Sequence, residues 1–517
     1  MDLIKKHKVE AVLVGLLILF YFGSRLLNLT LQPIFADEAI YIRWAQLMRA
    51  EPSLRFISLT DGKPPLYMWV LIPFFKVIKD PLFAGRFLSV LSGFVTLIGV
   101  FLIGIRFFNK RIAFWAMLLI VVTPYILFFD RMALVDSMLS AFSIWSLLVA
   151  ILLIKYKRID LAMVLGYLLG GGMLTKPPGF FNILVLPITA ILIEWKSKFR
   201  EKEVLKIFGL WSITIVITLG IYNILRLGPA FNSLNSRNQD YVFSPLFILT
   251  RPWDPFLPHL FNLTDWAVKL LTIPISVFII LGSIMSFINK NRYGMIIFLW
   301  AISPMLVEMA LLKTFTARYL LFSMPPLLLM AAYGLDEIII KVKYRRFLKY
   351  IIVILIIISL PLVVDYFLLF NQINAPLPDN EKRGYFQDWT AGYGLKEIAQ
   401  FLMNESNKEL VVVGTAGSFG TLPDGLEIYL DKHSHIASKD RQVIVIGTTG
   451  TISAQLRQAA TEHPTYYIHN GALDEVNPFN TELVKAYDKP VGPVLGPQTL
   501  RLYRVFPQST VSGILRK

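Results

Sequence analysis

RFLSVLSGFVTLIGVFLIGIRFFNKRIAFWAMLLIVVTPYILFF, residues 86–129, contains two long apolar runs, 86–105 and 112–129, joined by Arg106, Lys110 and Arg111. Each run approaches the roughly 20 apolar residues that cross a bilayer as a helix. A short basic connection between two such runs marks which side of the membrane it occupies. The same alternation extends over most of the chain. Further runs at 9–29, 136–154, 161–175, 180–194, 207–225, 266–288, 294–312, 320–340 and 350–370 bring the number of candidate spans to eleven. The runs at 161 and 180 are short for a crossing, so tilt or extension into their flanks is expected of them.

Composition agrees with a polytopic α-helical membrane protein. Of 517 residues, 55% are hydrophobic and 17% charged, and the mean hydropathy is +0.59, outside the range of ordinary soluble domains. The net charge of +16 does not point to nucleic acid, because the Lys and Arg residues sit in short connections rather than on one polar face. With no cysteine in the chain, disulfides, thiolate chemistry and Cys-based metal sites are excluded. The N-terminus has a basic start and a long apolar core, with no small-x-small cleavage site after it, and reads as a retained first span.

Every second connection is basic: Lys5, Lys6 and Lys8; Arg106, Lys110 and Arg111; Lys155, Lys157 and Arg158; Lys196, Lys198, Arg200, Lys202 and Lys206; Lys290 and Arg292; Lys341, Lys343, Arg345, Arg346 and Lys349. The positive-inside rule makes that side, and the N-terminus, cytoplasmic. Segments 30–85 and 226–265 and everything after the last span then face outward from a plasma (inner) membrane. In 30–85, AIYIRWAQLMRA places Ile40, Trp44, Leu47 and Met48 on one helical face; with LYMWVLIPFFKVI it reads as an interfacial helix on the outer leaflet. Segment 226–265, rich in Pro, Asn and aromatic residues, reads as a covering loop. The chain divides into a membrane domain, 1–370, and an extracytoplasmic α/β domain, 371–517. In the latter LVVVGTAG, VIVIGTTG, TYYIHNG and TLRLYRVF are strands and ISAQLRQAATEH a helix. GTTGTISAQL lacks the P-loop lysine and a full GxGxxG, so a structural turn is preferred to a nucleotide site.

Ionisable residues gather at the outer ends of different spans: Asp37 and Glu38 in FADEAIY, Lys63 in DGKPPLY, Asp130, Arg131 and Asp136 in DRMALVD, Lys176 in LTKPPG, and Arg318 with Tyr319 in TARYLL. Charges at such depth are costly unless paired or facing a polar cavity. Each also has a plainer reading. Asp37 is a helix cap, whereas Glu38, turned about 100° from it, serves another partner. Lys63 and Lys176 are snorkelling side chains, although each precedes two prolines and is held in an extended corner. Arg131 pairs with Asp130 or Asp136, Arg25 snorkels or pairs, and His259 is structural. Together the carboxylates accept a proton and the cations hold a phosphate, a combination suited to moving a group off a lipid phosphate.

The order FADEAIY, KPPLYMW, RMALVDSMLSAF, LTKPPG and ARYLLFSMPPLLL, over residues 1 to about 370, resembles the bacterial branch of the dolichyl-phosphate-mannose protein mannosyltransferase superfamily, glycosyltransferase family 39, and its aminoarabinose-transferase relatives. The resemblance implies a GT-C fold and inverting transfer of a sugar, a hexose such as mannose or a related one, from a polyprenyl-phosphate donor. The acceptor it implies is a hydroxyl of a protein, lipid or glycan on the outer face. It implies that Asp37, with Glu38 beside it, is the base or orienting carboxylate, and that Lys63 and Arg318 hold donor phosphate. Lys176 joins them less firmly, and Asp136, Arg131, Tyr319 and Asp130 support. The β-trefoil domain of the eukaryotic relatives is absent, and the α/β tail replaces other C-terminal arrangements. No metal is required, because fixed cations neutralise the phosphate, though the acidic residues leave room for a divalent ion. Two other readings stay open: a secondary transporter, whose charges would gather nearer the midplane between related halves, and a binding scaffold built on the tail.

Overall fold

The structure is a computed structural model and describes residues 8–195, 200–341, 346–434, 442–448, 451–472 and 480–507. Lys5, Lys6, Lys196, Lys198, Lys343 and Arg345 of the basic connections, and Thr449 and Gly450 of the strand–turn–helix junction, lie outside the described residues. The chain forms two compact units, one of Met1–Leu29, Glu51–Val70 and Arg86–Pro378, the other of Thr30–Ala50, Leu71–Gly85 and Asp379–Lys517.

The first unit is helical, and each of the eleven apolar runs falls on helix. Among the described residues seven helices are long and apolar enough to cross a membrane, and nine if each bent pair is one span. Ile159–Thr175 and Pro177–Leu192, the two runs expected to be short, are shorter apolar helices. The bends have local causes. Lys110–Val122 and Pro124–Asp130 meet at 59°, where Pro124 has no N–H to continue the ladder and forces Thr123 to extended backbone. Phe256–Leu271 and Ile273–Ile288 meet at 114°, at Thr272, whose φ is 72°, just before Pro274.

Glycine permits the closest helix contacts. A Cβ on Gly282 would lie 1.9 Å from the Met330 carbonyl oxygen, and one on Gly334 2.6 Å from the Gly282 nitrogen, so Ile273–Ile288 and Met324–Lys341 touch through their backbones. Gly166 and Gly170 likewise receive Ile217 and Ile221, and Thr214 Oγ1 and Thr218 Oγ1 donate across the same seam to the Ala162 and Gly166 carbonyls at 3.0 and 3.2 Å. Close backbone approach with hydroxyl bonds is how helices associate where lipid removes the hydrophobic drive.

The second unit holds two sheets. β1 (Ile34–Phe35) pairs antiparallel with β2 (Ala391–Gly392). Strands β3 (Val411–Ala416), β4 (Val443–Thr448), β5 (Thr465–Ala472), β6 (Thr481–Asp488) and β7 (Gln498–Val505) form a five-stranded sheet in the order β4-β3-β5-β7-β6. β3 is parallel to β4 and β5, and β7 antiparallel to β5 and β6. Val412, Leu456, Tyr467 and Tyr503 anchor one core. The four strands expected from sequence are all present; β6 was not foreseen.

The helix Ala36–Ala50 departs from expectation. It is buried at nearly every position rather than lying on a surface. It packs against Asp424–Ser434. Arg43 Nε donates to Glu427 Oε2 at 2.8 Å and Gln46 Nε2 to the Ile428 carbonyl at 2.9 Å. Its polar face, which reads as solvent- or headgroup-facing, thus meets a partner helix nearly four hundred residues away in sequence.

Candidate active site

Lys176 stands where Ile159–Thr175 ends, in extended backbone imposed by Pro177. Its Nζ donates to Asp136 Oδ1 at 2.6 Å, with both side chains largely buried. Asp136 opens the helix Asp136–Tyr156, where a carboxylate also suits the helix dipole. The same Nζ lies 4.2 Å from the centroid of the Tyr319 ring, and Arg318 Cζ lies 5.4 Å from it, so two cations share one aromatic ring. Tyr319 and Arg318 belong to the 3-10 segment Ala317–Ser323, pinned by a hydrogen bond from the Tyr125 hydroxyl to the Ala317 carbonyl. Glu308, on Arg292–Leu311, also interacts electrostatically with Lys176 and Asp136. Sequence reading missed it, although a lone acid inside the apolar run 294–312 is itself a signal.

Lys63 sits in a second charged group. The turn Ile57–Asp61 closes on Gly62 in the left-handed region, φ 64°, and the Gly62 and Lys63 N–H groups donate to Leu59 and Ser58 carbonyls, each at 3.0 Å. A Cβ at Gly62 would come within 2.4 Å of Arg237 Cβ, so glycine is needed on both counts. Lys63 Nζ lies 3.3 Å from Asp61 Oδ2, and Arg237 Nη2 3.3 Å from Asp61 Oδ1. Arg237 also meets Asp240 and the Tyr241 hydroxyl. The two groups share a support, since Leu59 and Leu174 lie in one apolar cluster with Leu225 and Leu234.

Asp130 and Arg131 serve a structural knot. Asp130 accepts from the Tyr21 hydroxyl at 3.1 Å and the Ser137 hydroxyl at 2.9 Å, with Arg25 Nε 4.0 Å away. Arg131 donates to the carbonyls of Ser24, Arg25, Leu27 and Asn28 at 2.7–2.9 Å, closing the end of the first span. Arg25 is paired rather than snorkelling, and it donates to the Ile120 and Val121 carbonyls just before the Pro124 break. His259 Nδ1 is 2.8 Å from the Met309 carbonyl.

Asp37 and Glu38 belong to the other unit. Glu38 is fully buried, and its Oε2 accepts the Phe35 N–H at 3.0 Å, reaching back as the acid of a capping box does. The Ala36 N–H donates to the Thr390 carbonyl at 2.9 Å, next to the β1–β2 pair. The cap thus involves Glu38, while Asp37 is half-buried in the first turn. Elsewhere in this unit, burial pushes the Asp424 carboxyl up to about 6 and Lys489 down to about 7. Among the described residues no three His, Asp or Glu side chains gather as a metal site.

Residues 62–222 match the family described as dolichyl-phosphate-mannose-protein mannosyltransferase. No curated protein matches the chain in sequence. Among solved structures it is similar to ArnT from Cupriavidus metallidurans in the apo state, with a TM-score of 0.54 and 14% identity over 96% of this chain and 98% of that one. The same enzyme bound to undecaprenyl phosphate gives 0.52 at 14% identity, with the same coverage. The archaeal oligosaccharyltransferase AglB from Archaeoglobus fulgidus, in complex with an inhibitory peptide and a dolichol-phosphate, gives 0.52 at 12% identity over 90% of this chain and 70% of that one. These are GT-C glycosyltransferases, and the chain has their fold: a multi-pass helical membrane region with a small C-terminal sheet domain.

Proposed function

We propose that this chain is an inverting glycosyltransferase that moves a sugar, a hexose such as mannose or a related sugar, from a polyprenyl-phosphate donor to a hydroxyl of a protein, lipid or glycan. The observation that carries the reading is the Lys176–Asp136 pair with Arg318 against the same tyrosine ring. Fixed cations in a low-dielectric setting stabilise the charge that collects on a departing phosphate. The family match includes Lys63, Asp136 and Lys176, and the lipid phosphates bound to ArnT and AglB favour a donor of that class.

The bond between the anomeric carbon and the phosphate oxygen breaks, its electron pair leaving with the phosphate. The acceptor oxygen bonds to the opposite face of that carbon, and its proton passes to a carboxylate. In this reading Lys176, Arg318 and Lys63 hold the phosphate and Asp37, by its motif position, takes the proton. Phosphate is a weak enough base to leave without protonation, so no metal is required. The basic connections give a cytoplasmic N-terminus and an extracytoplasmic C-terminal domain in the plasma membrane.

Radiolabelled sugar is followed from a panel of polyprenyl-phosphate donors in membranes carrying the wild type, Asp37→Asn or Lys176→Ala at matched expression. Label reaching an acceptor in wild type only is the expected result. Transfer from no donor, with an active relative working alongside, overturns the reading; equal transfer by Asp37→Asn removes that residue from its role.

A further inference from the structure

Glu308 is 2% exposed, and neither carboxylate oxygen has a hydrogen-bond partner among the described residues. A buried acid in this state is an exception that asks for a ligand. The backbone around it is already engaged. The Met309 carbonyl meets His259 Nδ1 at 2.8 Å, the Leu311 carbonyl accepts from the Phe243 N–H at 2.7 Å, and the Lys313 N–H donates to the Tyr241 carbonyl at 2.8 Å. What this turn leaves unfilled is the capacity of one carboxylate to accept hydrogen bonds. Ser140, one turn along the helix from Asp136, is likewise buried with a hydroxyl that has no partner among the described residues.

The charges nearby limit what that ligand is. Glu308 interacts electrostatically with Lys176 and Asp136, and its helix Arg292–Leu311 packs on the segment Ala317–Ser323 that carries Arg318, so it belongs to the same charged group. An ionised Glu308 repels a phosphate oxygen, and a lipid tail leaves both of its oxygens unsatisfied. A group rich in hydroxyl donors suits it. In a polyprenyl-phosphate sugar the C2 hydroxyl is one carbon from the carbon that bears the phosphate, so a site for both needs a cation and a carboxylate side by side. Resting on the reading above, we infer that Glu308 binds hydroxyls of the donor's sugar ring, next to the cations that take its phosphate.

The test compares transfer from a competent donor and from its 2-deoxy and 3-deoxy analogues, by wild type, Glu308→Gln and Glu308→Asp in purified full-length protein. Free polyprenyl phosphate serves as a competitive inhibitor. Wild type should prefer the full donor over at least one deoxy analogue by about tenfold to a hundredfold in kcat/KM, as for a hydrogen bond to a charged group. Glu308→Gln should collapse that preference to within about threefold, while inhibition by free polyprenyl phosphate stays within about threefold. Glu308→Asp should recover part of it. A merely structural role lowers turnover on every donor and leaves the preference intact, and that result overturns the inference. If neither variant folds, the absence of any deoxy preference in wild type overturns it. Wild type inactive on every donor defeats the glycosyltransferase reading and this inference with it.

Discussion

Glu38 Oε2 accepts the backbone N–H of Phe35 at 3.0 Å, so the second acid of FADEAIY is bound into the start of its own helix. Neighbours in sequence are thus separated in role: one carboxylate holds the helix entry and the other is half-buried in the first turn. Glu38→Ala should lower stability by about 1–2 kcal/mol, the range of a lost cap, with activity falling in proportion to folded protein. Asp37→Asn should leave the melting temperature within about a degree and abolish transfer. Melts and sugar transfer on the same preparations check both.

Lys176 and Asp136 form a buried pair, and removing one member strands the other. Lys176→Ala and Asp136→Ala should each cost about 3–5 kcal/mol, and the double variant distinctly less than their sum. A denaturation double-mutant cycle measures this. Additive costs would show that the two side chains do not depend on each other.

The backbone contact between Gly282 and Met330 leaves no space for a methyl group. Gly282→Ala should destabilise by about 1–3 kcal/mol through overpacking. Gly209→Ala and Gly220→Ala, whose added carbon would meet nothing within 4 Å, should be neutral or slightly stabilising, since both lie in the helix Arg200–Tyr222.

Two buried groups give the second unit a pH signature. Lys489 titrates near 7 in the fold against 10.5 when exposed, so across that window the unfolded chain binds a proton that the folded one lacks, and stability rises with pH. Asp424 titrates near 6 against 3.8, so between those values the folded chain holds the extra proton and stability falls as pH rises. Through these groups stability should be lowest between about pH 6 and 7. Lys489→Met should flatten the alkaline limb and Asp424→Asn the acid one, in urea midpoints of the full protein followed through a probe in the five-stranded sheet.

The helices were legible because a run of apolar residues about the length of a bilayer has few other stable forms. Both proline breaks are also written in the sequence, at Thr123–Pro124 and before Pro274. The site was legible in part. Lys176, Asp136, Arg318 and Tyr319 come together, being polar residues at the ends of apolar helices, where few environments suit them. Three things were hidden. Ala36–Ala50 carries the periodicity of a surface helix, and Glu427 and Ile428 reveal why Arg43 and Gln46 are buried. β6, TELVKAYD, is half-exposed and lacks a clear alternation. Glu308 lies in the last turn of the helix Arg292–Leu311, outside every motif that carries the other charges.

Arg43 and Glu427 meet across 384 residues. At about 5–20 residues per second, the ribosome needs roughly 20–80 s to bring the second after the first. For that interval the Arg43 guanidinium and the Gln46 amide lack the helix that will pair with them, so an early segment has to wait for a late one. Removing the tail to test its part in turnover would leave the helix that carries Asp37 in this orphaned state permanently. Point substitutions on Asp424–Ser434 that keep its apolar face are therefore the cleaner probe.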